Sequence, residues 1–126
     1  MNVNLLSPST LAFVGDAYYG LLVREMLAEI NRPSGALHSE SVKLVKAQAQ
    51  AEAFKIIEPI LTEKEMSVYK RGRNAHVNSV PKSSTAGEYH CATGVEVLFG
   101  YLHLSGNDDR AKELFSLIIN DFEGKL

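Results

Sequence analysis

The sequence contains one cysteine and four prolines, and it lacks a long hydrophobic run. Because Cys91 has no second cysteine to pair with, an internal disulfide is excluded and nothing indicates an oxidising compartment. The first ten residues show neither a basic cluster nor a continuous apolar stretch, so they do not resemble a secretory signal. No segment approaches the roughly 18 apolar residues that a membrane-spanning helix needs. These absences predict a cytoplasmic protein.

Sequence motifs of several common catalytic sites are also missing. The chain has no phosphate-binding loop of the form GxxxxGK[ST], no dinucleotide-binding GxGxxG and no nucleophile-elbow GxSxG. Its four histidines and one cysteine show no CxxC or HxxxH spacing, so the sequence predicts no zinc site. Cys91 is accordingly interpreted as a small core residue rather than as a nucleophile.

The length and composition indicate a single globular domain spanning residues 1–126. The chain has 126 residues and a mass of 13.8 kDa, with 45% hydrophobic and 22% charged residues. This balance is typical of a folded protein with an ordinary core rather than of a disordered one. A domain of this length buries roughly two thirds of the surface that its unfolded chain exposes.

The net charge of −2 conceals a basic middle segment. Residues 43–82 carry eight basic and four acidic side chains, for a net charge of +4, whereas the segments before and after them are acidic, with net charges of −2 and −4. Such an asymmetry is compatible with an anion-binding surface. It is equally compatible with the solvated faces of several helices.

The hydrophobic pattern predicts an all-α domain of about five to seven helices. Apolar residues recur at three- and four-residue steps, which is the spacing of one helix face, and no alternation typical of a strand is present. Thr62 and Glu65 have the spacing of a capping box. The predicted helices run from about residue 8 to 30, over 35–60 in one or two segments, from a cap at Thr62 through residues 70–76, over 87–104, and from a cap at Asn107 or Asp108 to about Phe122, with a loop at 77–86.

Two acidic residues stand out because they lie in apolar segments next to glycines. Asp16 follows Gly15 in the first predicted helix, and Glu96 lies two residues after Gly94. A carboxylate in such a setting must be hydrogen-bonded, paired or bound to a cation. If the two helices cross at these points, the pair could hold Mg²⁺, which prefers oxygen ligands completed by water. The alternative is two separate acids, each satisfied on its own.

Basic residues near position 70 form a candidate phosphate-binding segment. Arginine suits phosphate because its planar fork can donate two parallel hydrogen bonds. A smaller stripe, Lys43, Lys46 and Gln50, could contact the same polyanion. A solvated helix end is the alternative interpretation of the larger cluster. The candidate contacts are Lys43, Lys46, Lys70, Arg71, Arg73, Asn74 and Lys82.

Three motifs together resemble the ribonuclease III family. The segment Leu11-Ala-Phe-Val-Gly-Asp-Ala is similar to the signature helix of that family, and Thr93-Gly-Val-Glu-Val-Leu-Phe-Gly-Tyr-Leu is similar to its second acidic motif. The segment Lys70-Arg-Gly-Arg-Asn-Ala and the short length resemble the Mini-III branch, which has no double-stranded-RNA-binding domain. The resemblance covers residues 10–122 in order.

The chain departs from the full family pattern at three acidic positions. Ribonuclease III proper has glutamates where this chain has Ser9 and Ala12, and an aspartate where it has Thr93. Of that acidic cluster, only Asp16 and Glu96 remain. Mini-III enzymes resemble this reduced set, so the departure fits that branch and leaves the number of bound metal ions open.

The resemblance implies an all-helical endonuclease domain that acts as a homodimer on double-stranded RNA. Asp16 and Glu96 would be the catalytic residues and would hold Mg²⁺, and the basic residues near position 70 would contact phosphates. The typical substrate of such enzymes is precursor large-subunit (23S) ribosomal RNA, which is cut to leave recessed 5′ ends. The resemblance leaves open whether a ribosomal protein presents the substrate. Phe13 and Leu21 are candidates for the dimer interface, and a place in the core of the monomer is the alternative for each.

Two other functions are compatible with the residues. A non-catalytic RNA-binding module on the same fold would explain why only two acids of the family's cluster remain, although such a module needs neither Asp16 nor Glu96. A helical interaction protein would explain the two acids as satisfied core residues. Replacing Asp16 by asparagine separates these functions, because a metal ligand is required for cleavage whereas a structural acid affects only stability.

Overall fold

The computed structural model describes residues 1–31, 33–75 and 85–123, and within them the only regular elements are helices. This confirms the predicted all-α class. A short 3₁₀ turn precedes the first α-helix and another lies between the third and the fourth. None of the described helices combines the length and apolar character that crossing a membrane requires. The six α-helices found in this described part of the chain are α1 (Pro8–Glu29), α2 (Ser34–Val45), α3 (Ala47–Ile57), α4 (Glu63–Arg73), α5 (Ala86–Leu104) and α6 (Asp108–Glu123).

Side-chain caps fix where three of the helices begin. The Ser7 hydroxyl accepts a hydrogen bond from the first turn of α1, where a proline also occupies an early position that needs no amide donor. The capping box of Thr62 and Glu65 at the start of α4 is present as predicted. A second capping box, formed by Thr85 and Glu88, begins α5. These caps satisfy amide groups that have no partner within the helix.

The end of α1 and the division between α2 and α3 are each marked by a residue with a non-helical backbone conformation. α1 ends before Asn31, which adopts a left-handed conformation with φ of 51°. The stretch 35–60 is divided at Lys46, whose ψ of 157° is extended. The Lys46 amide still donates a hydrogen bond to the Val42 carbonyl, so α2 loses no backbone hydrogen bond at its last residue because of this break. Because lysine has a good helix propensity, the sequence gives no local sign of this break.

Helix α5 lies at the centre of the domain and packs against α1, α3, α4 and α6. Its Phe99 ring meets Tyr19 of α1 edge-to-face, with ring centroids 5.1 Å apart, and Tyr19 in turn meets Phe115 of α6 at 5.5 Å. On the other side, Phe54 of α3 stacks on Tyr69 of α4 at 3.8 Å. These ring contacts therefore join α5 to α1, α1 to α6, and α3 to α4.

Candidate active site

The two acidic residues are carried by α1 and α5, which cross with their backbones in contact. A β-carbon at Gly15 would overlap the carbonyl oxygen of Glu96 and would lie 2.9 Å from the amide nitrogen of Gly100. A β-carbon at Gly100 would likewise overlap the carbonyl oxygen of Leu11. Only glycine permits such an approach, which explains why a residue with poor helix propensity occurs inside both helices.

This crossing brings the side chains of Asp16 and Glu96 together. Asp16 is exposed and Glu96 is half-buried. Burial raises the pKa of Glu96 to about 8, and so do the hydrogen bond with Asp16 and the charge of Asp16. In its neutral form, Glu96 donates that hydrogen bond to the Asp16 carboxylate. The raised pKa keeps Glu96 mostly protonated at neutral pH, because a second negative charge in this half-buried position is unfavourable.

The pair offers hard oxygen ligands on one solvent-accessible side. Among residues 1–31, 33–75 and 85–123, no group of three or more acidic, histidine or cysteine side chains is arranged to hold a metal ion. A cation held here would therefore take two protein carboxylates and complete its shell with other oxygen atoms. Mg²⁺ is commonly bound in this way, by one or two carboxylates together with water and phosphate oxygens.

The C-terminal half of α4 packs against the turn of α5 that carries Glu96. A β-carbon at Gly72 would lie 2.6 Å from a methyl carbon of Val97 and 2.9 Å from the α-carbon of Gly94. Gly94 and Val97 are close neighbours of Glu96 in the chain. The predicted phosphate-binding segment is therefore attached directly to the helix that carries one of the two acids.

Three of the α4 residues predicted to contact phosphate lie at the surface of this helix end. Lys70 and Asn74 are exposed and line a cleft of about 750 Å³ that runs along α4. Arg73 is half-buried, with its guanidinium 5.9 Å from the ring centroid of Tyr69 and its Nε donating to the Asn74 side-chain oxygen over 3.2 Å. Neither contact neutralises the charge of Arg73, so all three side chains have donors available to an anion.

Arg71 has a different environment from its neighbours. It is half-buried, and its Nη2 donates a hydrogen bond of 2.8 Å to the backbone carbonyl of Leu6, ahead of α1. It also borders the α4 cleft. The sequence gives no sign of this contact, because 65 residues separate the two partners.

The second predicted basic stripe lies elsewhere. Lys43 and Lys46 are exposed and border a smaller cleft of about 180 Å³ at the junction of α2 and α3, beside Phe122 of α6. This cleft shares no lining residue with the cleft along α4. The inclusion of Gln50 in the stripe is wrong, because Gln50 is buried and its Nε2 donates to the Val45 carbonyl at the end of α2. Lys82 lies outside the described residues.

Sequence reasoning missed an ion pair that supports the start of α4. Arg110 of α6 donates from Nε and Nη2 to the two carboxylate oxygens of Glu65, at 2.8 and 2.9 Å, and also to the Ile60 carbonyl at 2.9 Å. The Arg110 guanidinium holds the pKa of Glu65 below its usual range, and the capping hydrogen bonds act in the same direction. The capping box marks Glu65, but no pattern links it to a residue 45 positions away.

The outer face of α1 carries exposed apolar side chains next to the acid pair. Phe13 is 81% exposed and Leu21 is 51% exposed. Residues 13, 17 and 21 follow one another at steps of four and so share one helix face. Large apolar groups at such exposure are typical of a surface that another molecule covers.

Cys91, interpreted as a core residue, is half-buried.

Comparisons with known proteins agree with this arrangement. The model of the ribonuclease III domain family matches residues 9–107. A Mini-ribonuclease 3 of Thermoanaerobacter sp. (strain X514) is 45% identical over 94% of this chain and 84% of its own. A Mini-ribonuclease 3 of Streptococcus pneumoniae is 40% identical over 98% of this chain and 99% of its own. The X-ray structure of a Fusobacterium nucleatum protein matches 99% of this chain and 98% of that chain, with a TM-score of 0.85 and 27% identity.

The match to the family model includes both acidic motifs, the α1–α5 crossing and the basic end of α4. The similarity to the two relatives extends over nearly the whole of both partners rather than over a shared fragment. The resemblance inferred from the sequence motifs is therefore confirmed. The chain belongs to the ribonuclease III family of endoribonucleases.

Proposed function

We propose that the protein cleaves double-stranded RNA in a Mg²⁺-dependent reaction, with Asp16 and Glu96 as the catalytic residues. The observation that carries this proposal is the contact between these two carboxyl groups across the α1–α5 crossing. The pKa of Glu96 is raised, so that ionising Glu96 in its half-buried position beside Asp16 costs free energy. A divalent cation in place of the Glu96 proton would offset this cost.

The residues present fit Mg²⁺. Asp16 and Glu96 would hold the ion, and its charge would supply the polarisation of the scissile phosphate and the activation of a water molecule. The protein itself fixes the distance between the carboxylates, because the backbones of α1 and α5 touch at the two glycines. Because Asp16 is exposed, an RNA backbone can approach the acid pair from that side.

Contacts with phosphates would come from the basic surface rather than from base-reading side chains. The exposed Lys70 and Asn74, with Arg73 beside them, would bind the RNA backbone near the acids, and Lys43 and Lys46 would bind it further away. Double-stranded RNA is recognised mostly by its shape, phosphates and 2′-hydroxyls. Binding should therefore weaken steeply as the salt concentration rises.

We further propose that two copies associate through the outer face of α1. Phe13 lies one helical turn from Asp16, and its 81% exposure is costly for a monomer. A two-fold pairing of this face would cover both copies of Phe13 and would place two acid pairs in one particle, one for each strand of a duplex. Such a dimer is expected to leave products with recessed 5′ ends.

The proposed natural substrate is precursor 23S ribosomal RNA, at the duplex formed by its paired termini. Support for this step comes from the resemblance to the Mini-III branch rather than from a feature of the surface. Naked precursor RNA provides the direct test. Accurate cleavage of the naked duplex would exclude the need for a ribosomal protein that presents it, whereas cleavage only with such a protein present would establish the need.

The test of the nuclease function is cleavage of a long double-stranded RNA with Mg²⁺, beside EDTA and single-stranded RNA. We expect metal-dependent cutting of the duplex that Asp16→Asn and Glu96→Gln each abolish while both variants remain folded. These substitutions keep the size of the side chains and replace a carboxyl group, which can ionise and bind a metal ion, by an amide. Duplex binding without cutting by the wild type would contradict the proposal and favour an RNA-binding module.

The test of the dimer is the mass of the particle in solution by light scattering, for the wild type and for Phe13→Asp. We expect a dimer for the wild type and a monomer for the variant, because the charge would be buried at the interface. Val42→Asp is the matched control, since Val42 is 46% exposed on a different helix and should leave the dimer intact. A wild-type monomer, or a dimeric Phe13→Asp, would contradict this interface.

A further inference from the structure

The segment that leads into α1 is held in place by three side chains from other helices. The Asn4 side-chain oxygen accepts hydrogen bonds from Lys64 Nζ at 3.1 Å and from the Tyr101 hydroxyl at 3.4 Å. The Leu6 carbonyl accepts the hydrogen bond from Arg71 Nη2 at 2.8 Å. These donors come from α4 and α5, so the segment is attached to both helices just before α1 begins.

Arg71 is the member of this group whose role differs most from the prediction. Its neighbour Lys70 is exposed, as a phosphate-binding side chain would be. Arg71 is half-buried and directs part of its guanidinium at a backbone carbonyl. A hydrogen bond between a charged donor and a neutral carbonyl is stronger than a neutral pair, which makes this a firm attachment.

The attachment has consequences for the acid pair because α4 cannot slide along α5. Gly72, the next residue after Arg71, is packed against Gly94 and Val97 of α5. Arg71 therefore lies at a fixed position relative to Glu96. By holding Leu6, it fixes the position at which α1 starts, and Asp16 follows about two and a half helical turns later.

We propose that Arg71 is a positioning residue: by holding the Leu6 carbonyl at the start of α1, it sets the position of Asp16 relative to Glu96. On this proposal Arg71 is not a contact to RNA phosphate. The inference rests on the proposed nuclease function, since the position of Asp16 matters for cleavage. It assigns different roles to two adjacent basic residues of one helix.

The experiment compares three variants of the full chain. Arg71→Gln removes the attachment and one charge, and Lys70→Gln is the matched control that removes one charge from the adjacent exposed position. Asn4→Ala removes the other anchor of the segment without changing any charge, and it keeps the proposal testable if Arg71→Gln does not fold. The measurements are kcat at saturating duplex RNA with Mg²⁺, and the salt dependence of duplex binding in EDTA.

We expect Arg71→Gln and Asn4→Ala to lower kcat on the order of tenfold, because small displacements of catalytic groups have large effects on rate. Both should keep the wild-type slope of log affinity against log salt concentration. Lys70→Gln should reduce that slope by about one, as the loss of one phosphate contact does. The salt slope therefore separates the loss of a phosphate contact, which lowers it, from a displacement of Asp16, which leaves it unchanged.

Two results would overturn the positioning role. One is an Arg71→Gln variant that keeps the wild-type kcat and loses about one unit of the salt slope, since that is the behaviour of a phosphate contact. The other is wild-type kcat in both Arg71→Gln and Asn4→Ala. Failure of the nuclease proposal itself would look different, because the wild-type protein would then cut no duplex.

Discussion

The raised pKa of Glu96 makes the stability of the domain depend on pH in an unusual direction. Most acids that are paired with a cation or hydrogen-bonded in the folded state have lowered pKa values, so that proteins lose stability as the pH falls. The pKa of Glu96 is raised to about 8 in the folded state. In the unfolded state it returns to the ordinary value of about 4.3. Between these values the folded protein holds a proton that the unfolded chain releases.

The sign and size of the effect follow from this difference. The contribution of Glu96 to the free energy of unfolding is fully present below about pH 4.3 and declines as the pH rises towards 8. The decline is about 1.4 kcal/mol for each pH unit within that window. Between pH 5 and pH 8 this one carboxyl group should therefore lower the stability by about 4 kcal/mol, which is a large part of the total for a domain of this size.

The assay is urea unfolding followed by circular dichroism in EDTA, at several pH values from 5 to 8, for the wild type and Glu96→Gln. The amide of the variant does not titrate, so the difference in unfolding free energy between the two proteins isolates Glu96 from all other groups. We expect this difference to grow with pH in favour of the variant. Asp16→Asn should show a smaller dependence than the wild type but not none, because burial is the larger cause of the shift.

A wild type and a Glu96→Gln variant with parallel pH profiles would refute the reasoning. That result would mean that Glu96 is ionised at neutral pH in the folded protein, as it is in the unfolded chain. If the pH dependence that Glu96 causes disappears completely in Asp16→Asn, the ranking of the two causes of its raised pKa is wrong. The neighbouring charge, rather than burial, would then be the dominant influence on the pKa of Glu96.

Further predictions concern the packing around the site. Gly15→Ala should destabilise the fold by about 3 kcal/mol in urea unfolding, because its methyl group would overlap the α5 backbone. Gly87→Ala is the control, since Gly87 has open space around it and its replacement should be neutral or stabilising. Equal effects of the two substitutions would contradict the crossing of α1 and α5. Arg110→Ala should cost about 3 kcal/mol because it leaves the buried Glu65 without its partner, whereas Glu113→Ala, whose side chain is 62% exposed, should cost under about 0.5 kcal/mol. Because the pKa of Glu65 is lowered in the folded state, the wild type should lose stability as the pH falls below the ordinary pKa of a glutamate. Arg110→Ala should largely lack this loss, since the guanidinium is the main cause of the lowered pKa. An equal loss of stability in acid for both proteins would contradict this prediction.

The helices were largely predictable from the sequence because local signals mark them. The capping box at Thr62 and the apolar spacing of α1, α5 and α6 gave their type and approximate bounds. The start of α5 at Ala86 could also have been found, since Thr85 and Glu88 have the spacing of a second capping box. The division at Lys46 could not, because it depends on how α2 and α3 pack rather than on a local breaker.

For the site, the sequence identified the acids but not the contacts that arrange them. Asp16 and Glu96 were recognisable as polar residues in apolar segments, and the glycines beside them suggested a close approach. Their meeting depends on a crossing of two helices separated by most of the chain, which periodicity cannot reveal. The contact of Arg71 with Leu6 illustrates the same limit, since a charged residue in a basic cluster gives no sign that it faces the protein.

The glycine contacts on both sides of α5 have a consequence for local motion. At Gly100 the α1 backbone touches the α5 backbone without an intervening side chain, and at Gly94 the Tyr69 ring of α4 lies directly against α5, so little space remains on either side of the helix. Amide groups on this part of α5 can reach solvent only when whole helices separate. Hydrogen exchange of α5 should therefore be limited by global unfolding, so that the helix carrying Glu96 is among the slowest-exchanging parts of the molecule.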